Sequence, residues 1–227
     1  MIYLIIITLV MFLFLVLNII IPHIVKTLWK RRFLNWVQKS GKIFLTFDDG
    51  PDPINTIRIL DLLKKYNIKA TFFVIGENAL NYNELIGRMV AEEHKICLHG
   101  NNHLHPWKVF PWQAMYDLNR CKKILISYGI RNKYARPPFG KLNIFTMFYF
   151  WFSHLIFVHW NIDSLDYKRT DSKQLGEWLK QRIEVGKIIL LHDGRRAGTS
   201  AGEITAEGLK IFFNDCKFDS QVFSALP

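Results

Sequence analysis

The chain has 227 residues, half of them hydrophobic, and its 30 Lys and Arg outnumber 19 Asp and Glu for a formal charge of +11. That length allows one large domain or two small ones. The basic residues are scattered, without zinc-finger spacing or a ribonucleoprotein signature. The charge therefore points away from nucleic acid and toward an anionic lipid surface.

From Ile2 to Ile21 there is no charge, and only Tyr3, Thr8 and Asn18 interrupt the apolar run. At about 1.5 Å per residue such a helix spans a hydrocarbon core of about 30 Å. A cleaved signal would need a basic start, a shorter apolar core and a small-residue cleavage site. Residues 1–22 are therefore expected to be a retained, single-pass transmembrane anchor in the cell membrane. Lys26, Lys30, Arg31 and Arg32 follow the span and nothing basic precedes it, which by charge bias puts the rest of the chain on the cytoplasmic face. Residues 23–40 read as a basic, Trp-containing juxtamembrane segment, and 41–227 as the folded domain. Cys97, Cys121 and Cys216 form an odd set with no disulfide-like spacing, weakly favouring a reducing compartment. Each also reads, more simply, as a small buried hydrophobe.

Beyond the anchor, short apolar runs alternate with longer amphipathic ones. Strands are expected over 42–47, 70–74, 96–98, 133–135, 155–159, 188–191 and 221–224, and helices over 54–66, 79–93, 111–127, 142–152, 171–185 and 203–214. This alternation implies an α/β fold, a parallel sheet covered by helices and either open or closed into a barrel. Chemistry in such folds collects at the C-terminal ends of the strands. Asp48 and Asp49, His99, Arg136, Asp163 to Asp166 and His192 each follow an expected strand.

The first of these groups sits in Thr46-Phe47-Asp48-Asp49-Gly50-Pro51, two adjacent carboxylates where a strand must turn. One carboxylate on a metal and the other free as a base is a natural division of roles. His99 and His103, four residues apart in His99-Gly100-Asn101-Asn102-His103, can share one ion. Asp49, His99 and His103 then form a facial ligand set with water in the open position, His105 competing with His103 as second imidazole. Zinc is the default for two imidazoles and a carboxylate, with cobalt, nickel or manganese as alternatives. Asp48 is free to take a proton from the activated water, and Arg136, in Arg136-Pro137-Pro138-Phe139-Gly140, to keep it ionised. A backbone N–H near Phe139 is a candidate oxyanion donor. His192, in His192-Asp193-Gly194, reads as the acid that protonates a leaving amine, oriented by Asp166 or Asp193. His23, His94, His154 and His159 read as structural or surface residues. No serine elbow or phosphate-cradling glycine loop is present, which disfavours covalent serine catalysis and nucleotide hydrolysis.

Five segments together resemble the polysaccharide deacetylases of carbohydrate esterase family 4, also known for their NodB-like domain, over residues 42–224. They are TFDDGP, the His99/His103 pair, RPPFG, Trp160-Asn161-Ile162-Asp163-Ser164-Leu165-Asp166-Tyr167, and LLHDG. The resemblance implies a distorted (β/α)7 TIM-like barrel and hydrolysis of acyl groups on sugars with a divalent metal. It implies Asp48 as base, Asp49, His99 and His103 as ligands, Arg136 as the residue tuning the base, Asp166 as the partner of the acid His192, and Leu190 in the acetyl pocket. It also places Phe139, Gly140, Trp160 and Tyr167 on the substrate side. Two departures stand out: Gly100 where Ser or Thr is usual, expected to change ligand support little, and Tyr167 for a common Trp, expected to reshape a groove wall.

The run Phe145-Thr146-Met147-Phe148-Tyr149-Phe150-Trp151-Phe152 is apolar all round. It reads as a deeply buried helix, one packed on the N-terminal anchor, or a membrane-facing surface beside the active-site rim. The expected function is removal of an N-acetyl group from an amino sugar in a membrane- or envelope-associated glycan. Alternatives are a deformylase or deacetylase of a polyprenyl-linked sugar, an outer-face peptidoglycan or exopolysaccharide deacetylase (the family's usual setting), and a non-catalytic glycan- or lipid-binding protein. No obligate protein partner is evident.

Overall fold

The computed structural model describes residues 1–194, 200–215 and 219–227; Cys216 lies outside them. The chain opens with α1 (Ile2–Leu15), which runs through one wider turn at Val16–Ile20 directly into α2 (Ile21–Lys39). None of α1 is buried, and the continuous helix is long and apolar enough to cross a membrane. From α2 onward the same helix belongs to the domain. Phe33 and Val37 are buried with Phe44, Phe73, Cys97, Tyr134, Val158 and Ile188 in one apolar cluster.

Seven strands make a single parallel sheet: β1 (Ile43–Asp48), β2 (Thr71–Val74), β3 (Lys95–Leu98), β4 (Tyr134–Ala135), β5 (Ile156–Phe157), β6 (Ile162–Asp163) and β7 (Lys187–His192). Their order is β5-β4-β3-β2-β1-β7-β6, so β5 and β6 are edges and the barrel stays open between them. All six residues of β1 are buried because both faces are covered. Side chains alternate across a strand. Ile43, Leu45 and Phe47 accordingly join the layer under the helices, while Phe44 packs inside with α2. The outer layer is supplied by α3 (Asn55–Lys65), α4 (Gly76–Asn81), α5 (Asn83–Ala91), α6 (Pro111–Ser127), α7 (Ile144–Phe152), α8 (Ser172–Arg182) and α9 (Ala201–Asn214).

Two expected elements differ. The strand over 221–224 is a 3₁₀ turn at Ser220–Val222 followed by one parallel bridge from Phe223 to Ile43. The Asp219 carboxylate accepts the Gln221 N–H at 2.9 Å, a local bond that competes with the ladder. The seventh strand is instead β6, whose two residues are too short to carry a period. The helix over 79–93 is broken at Tyr82 (φ −129°, ψ 51°) into α4 and α5. In α7, Thr146, Met147 and Phe150 are buried, while Trp151 and Phe152 are 66% and 77% exposed. The element packs on α6, on α2 and on the Val16–Ile20 turn, and Trp29 lies 6.1 Å from Phe150, ring to ring.

Burial of Phe33 makes α2 part of the core. Phe33→Ala should lower stability by about 3–5 kcal/mol, whereas exposed Phe152→Ala should stay within about 0.5 kcal/mol. Chemical denaturation of the detergent-solubilised full chain, followed by tryptophan fluorescence, checks both.

Candidate active site

Parallel register brings the strand ends together. Asp48 and His192 are directly paired at the ends of β1 and β7, and Leu98 pairs with Ala135, so His99 and Arg136 follow side by side. The Arg136 side chain is wholly buried at 0% exposure. Its Nη1 donates to Asp48 Oδ1 at 2.6 Å and to Thr46 Oγ1 at 2.9 Å. The guanidinium lies 4.1 Å over the Phe73 ring and 5.4 Å from that of Trp160. Burial pulls the guanidinium below its ordinary range, with the Asp48 carboxylate opposing that pull. Asp48 Oδ1 is thereby fixed, and Oδ2 stands 3.7 Å from His99 Nε2.

Asp49, His99 and His103 converge, with all three potential ligand atoms within 4.8 Å of one another. Asp49 Oδ1 is 3.2 Å from His99 Nε2 and 3.1 Å from His103 Nε2. The His99 Nδ1–H donates to the Arg136 carbonyl at 2.6 Å, which leaves Nε2 with its lone pair facing Asp49. Both Asp49 carboxylate oxygens are buried with no hydrogen-bond donor. Buried carboxylate oxygens without a protein donor, facing the Nε2 atoms of two imidazoles, are what a divalent cation needs. The donor set fits such an ion. His105 is outside it: its ring lies tilted 4.5 Å from that of Phe139, and its Nδ1 accepts the Trp107 N–H at 3.2 Å.

Three non-glycine residues here are left-handed: Asp49 (φ 74°), His103 (φ 54°) and Phe139 (φ 60°). Such conformations persist only where surroundings over-determine them. The Asn78 side-chain amide donates to the Asp49 carbonyl at 2.9 Å. A Cβ on Gly194 would stand 2.2 Å from that same oxygen. The loop after β3 is clamped by Asp117 on α6, which accepts the Asn101 and Asn102 N–H groups at 2.9 and 2.8 Å. Gly100 has φ +95°, and a Cβ there would meet Asp117 Oδ2 at 2.5 Å. The clamp thus has room because residue 100 is glycine, a larger consequence than the sequence suggested.

His192 Nδ1–H donates to Asp166 Oδ1 at 2.7 Å, and Asp166 Oδ2 accepts the His192 N–H at 2.7 Å and the Thr205 hydroxyl at 2.6 Å. Burial alone would depress this imidazole, but Asp166, reinforced by Asp49 and Asp48, carries it up to about 9. Asp166 is therefore the partner of His192. Asp193 instead accepts the Thr56 hydroxyl at 2.6 Å, and burial pushes its carboxyl up to about 7. A cleft of about 310 Å³ is lined by Asp48, His99, His103, Phe139, Gly140, Trp160, Tyr167, Leu190 and His192, with His105, Lys141 and Asp163 at its wall. Tyr167 meets His192 edge-on at 5.4 Å. Gly140 lets Trp160 approach, since a Cβ would come within 2.9 Å of the indole.

Sequence reasoning missed Thr46, Asn78, Asp117, Lys141 and Thr205. Asp117 was discoverable, because it lies on the apolar face of α6 with Ala114, Leu118 and Cys121. Thr205 carries no comparable signal. Of the cysteines, Cys97 and Cys121 are free and buried.

A family model for polysaccharide deacetylase matches residues 37–147. A chitooligosaccharide deacetylase from a Bradyrhizobium species is 34% identical over 182 residues, covering 74% of this chain and 78% of that protein. A peptidoglycan-N-acetylglucosamine deacetylase from Bacillus cereus is 31% identical, covering 70% of this chain and 62% of its own length. Among solved structures, a family 4 acetyl xylan esterase from Clostridium thermocellum, bound to a cobalt ion, superposes with a TM-score of 0.67 at 31% identity, over 81% of this chain and 86% of that one.

Two measurements check the site. In a chelator competition titration of the full chain, His103→Ala should weaken zinc binding by at least about 100-fold, beyond the loss of an outer partner, while His105→Ala leaves it unchanged. The folded His192 pKa, raised from 6.5 to about 9, means its linked stability is fully present below pH 6.5 and lost as pH rises through 9. In metal-stripped protein, Asp166→Asn should remove that alkaline limb and drop the imidazole pKa by more than about one unit on NMR titration.

Proposed function

As the chain belongs to the polysaccharide deacetylase family and is a carbohydrate deacetylase, we propose that its substrate is an N-acetylated amino sugar of a membrane- or envelope-associated glycan. The observation that carries this reading is the joint placement of a fixed carboxylate, a three-ligand cation site and a raised imidazole around one cleft. We assign zinc to Asp49, His99 and His103 on the chemistry of the donors, with cobalt, nickel and manganese as competitors. Such an ion, when bound, acidifies water and polarises the acyl carbonyl.

The chain's own residues do the rest. Asp48, held through Oδ1 by Arg136, takes the proton of the attacking water with Oδ2. His192, protonated at neutral pH, gives its Nε2 proton to the sugar nitrogen as the C–N bond breaks, releasing acetate and a free amine. Asp166 and Thr205 keep that imidazole oriented. Leu190, Tyr167, Trp160 and Gly140 shape the wall against the acetyl group and sugar, and the Phe139 backbone is the candidate oxyanion donor.

The helix through Ile2–Lys39 supports a single-pass membrane anchor. The helix α7, which exposes Phe148, Trp151 and Phe152, packs on the turn at Val16–Ile20 between α1 and α2. Aromatic side chains favour the membrane–water interface. This favours a second reading of the substrate, a lipid-linked amino sugar carrying an acetyl or formyl group. Charge bias puts the domain on the cytoplasmic face.

Acetate release from N-acetylglucosamine oligomers and from a polyprenyl-linked N-acetylhexosamine tests the assignment with zinc-loaded full chain. Asp48→Asn and His192→Ala should each cost about 10²–10⁴ in kcat. Metal binding with no release of acetate or formate would turn the assignment to a binding role.

A further inference from the structure

Of the two imidazoles that face Asp49, only His99 has its second nitrogen held, by the 2.6 Å bond to the Arg136 carbonyl. His103 Nδ1 makes no hydrogen bond among the described residues, and its side chain is 17% exposed. Its ring meets that of Phe139 at a tilt, 4.7 Å away, a contact that sets no tautomer. Imidazole ligands are ordinarily oriented through the nitrogen that does not bind the ion. His103 nonetheless brings Nε2 to 3.1 Å from Asp49. The backbone that carries it therefore has to do the positioning.

That backbone is pinned from two directions. The Gly76 and Glu77 N–H groups, at the start of α4, donate to the Gly100 and Asn101 carbonyls at 2.9 and 3.2 Å. From α6, Asp117 Oδ2 accepts the Asn101 N–H at 2.9 Å and Oδ1 the Asn102 N–H at 2.8 Å. Burial raises the Asp117 carboxyl, and the Asn102, Asn101 and Leu104 N–H groups oppose the rise. The carboxylate thus grips the chain immediately before His103, which is left-handed at φ 54°. Charge-assisted bonds of this kind are stronger than neutral ones and offset the strain of that conformation. Asp117 is only 7% exposed, on the face of α6 that also buries Ala114, Leu118 and Cys121. A carboxylate there is costly without its backbone donors, so the loop is what it serves. Position 100 decides whether it fits: a Cβ on Gly100 would stand 2.5 Å from Oδ2.

We propose that Asp117 is the positioning residue for His103, replacing through the backbone the hydrogen bond that the His103 ring lacks, and that Gly100 is its necessary neighbour. The proposal rests on the assignment of Asp49, His99 and His103 as ligands. It adds to that assignment a residue that acts through one ligand without touching the ion.

The test is zinc affinity of the full chain in neutral detergent, measured by chelator competition and without turnover. Asp117→Asn keeps the shape of the side chain but turns an amide NH2 toward one of the two N–H donors. It should weaken zinc about tenfold or more, as loss of an outer partner does. Asp171→Ala removes a comparable clamp at the start of α8, where the carboxylate accepts the Lys173 N–H at 2.8 Å, and should leave zinc affinity unchanged. The deciding measurement is a double-mutant cycle. On a His103→Ala background, Asp117→Asn should have no further effect, because its route to the ion is gone. An equal loss on that background overturns the proposal in favour of a general loosening of the loop. Wild-type affinity in Asp117→Asn overturns it outright. Gly100→Ala crowds Oδ2 with Asp117 still in place, so the same cycle can be run with it if Asp117→Asn does not fold. Zinc affinity indifferent to His103→Ala would instead remove the ligand assignment, and the role of Asp117 with it.

Discussion

A guanidinium at the centre of a parallel barrel is the constraint around which the rest is arranged. Arg136 is removed from water entirely, and the cost of that burial is several kcal/mol unless charge and hydrogen bonds return it. The compensation comes from Asp48, Thr46 and the Val158 carbonyl, with the faces of Phe73 and Trp160 alongside. One residue thereby sets two functions. Its side chain fixes the Asp48 carboxylate, and its backbone carbonyl fixes the tautomer of His99 and turns Nε2 toward Asp49. Moving either strand β1 or β4 by one residue would break both, because side chains alternate faces along a strand.

The open seam between β5 and β6 has a second consequence. A sheet that stops short of closing leaves interior side chains uncovered, and α2 brings Phe33 and Val37 to them. The exposed apolar helix α1 and the helix that completes the core are therefore one continuous element, linked through Val16–Ile20. That continuity gives the domain a fixed orientation toward whatever α1 is embedded in. It also brings α7 against α2 and the Val16–Ile20 turn.

Most strands and helices were legible because their apolar periods are strong and their ends are punctuated. The site was legible because adjacent carboxylates, paired histidines and His192 each fall at the end of an apolar run. Failures came where the signal was short or non-local. β6 has two residues and pairs only because Ile162 meets Ile189. The 221–224 run has strand-like composition, but a local Asx-type bond at Asp219 holds it as a turn. Gly100 looked like a mild departure, since nothing in the sequence places Asp117 against its missing Cβ.

By itself, the sequence determined the parallel α/β class, the apolar N-terminal helix and the residue types that gather at the strand ends. These follow from local periodicity and from the chemistry of side chains close together in the chain. Tertiary structure alone decided between His103 and His105, and between Asp166 and Asp193, because both choices depend on backbone direction in the loops. His103 turns left-handed and brings Nε2 to Asp49, while His105 lies between Phe139 and Trp107; Asp166 reaches His192 from a different loop, while Asp193 turns back to Thr56. Distances of that kind are set by packing between segments far apart in sequence, which no local pattern encodes.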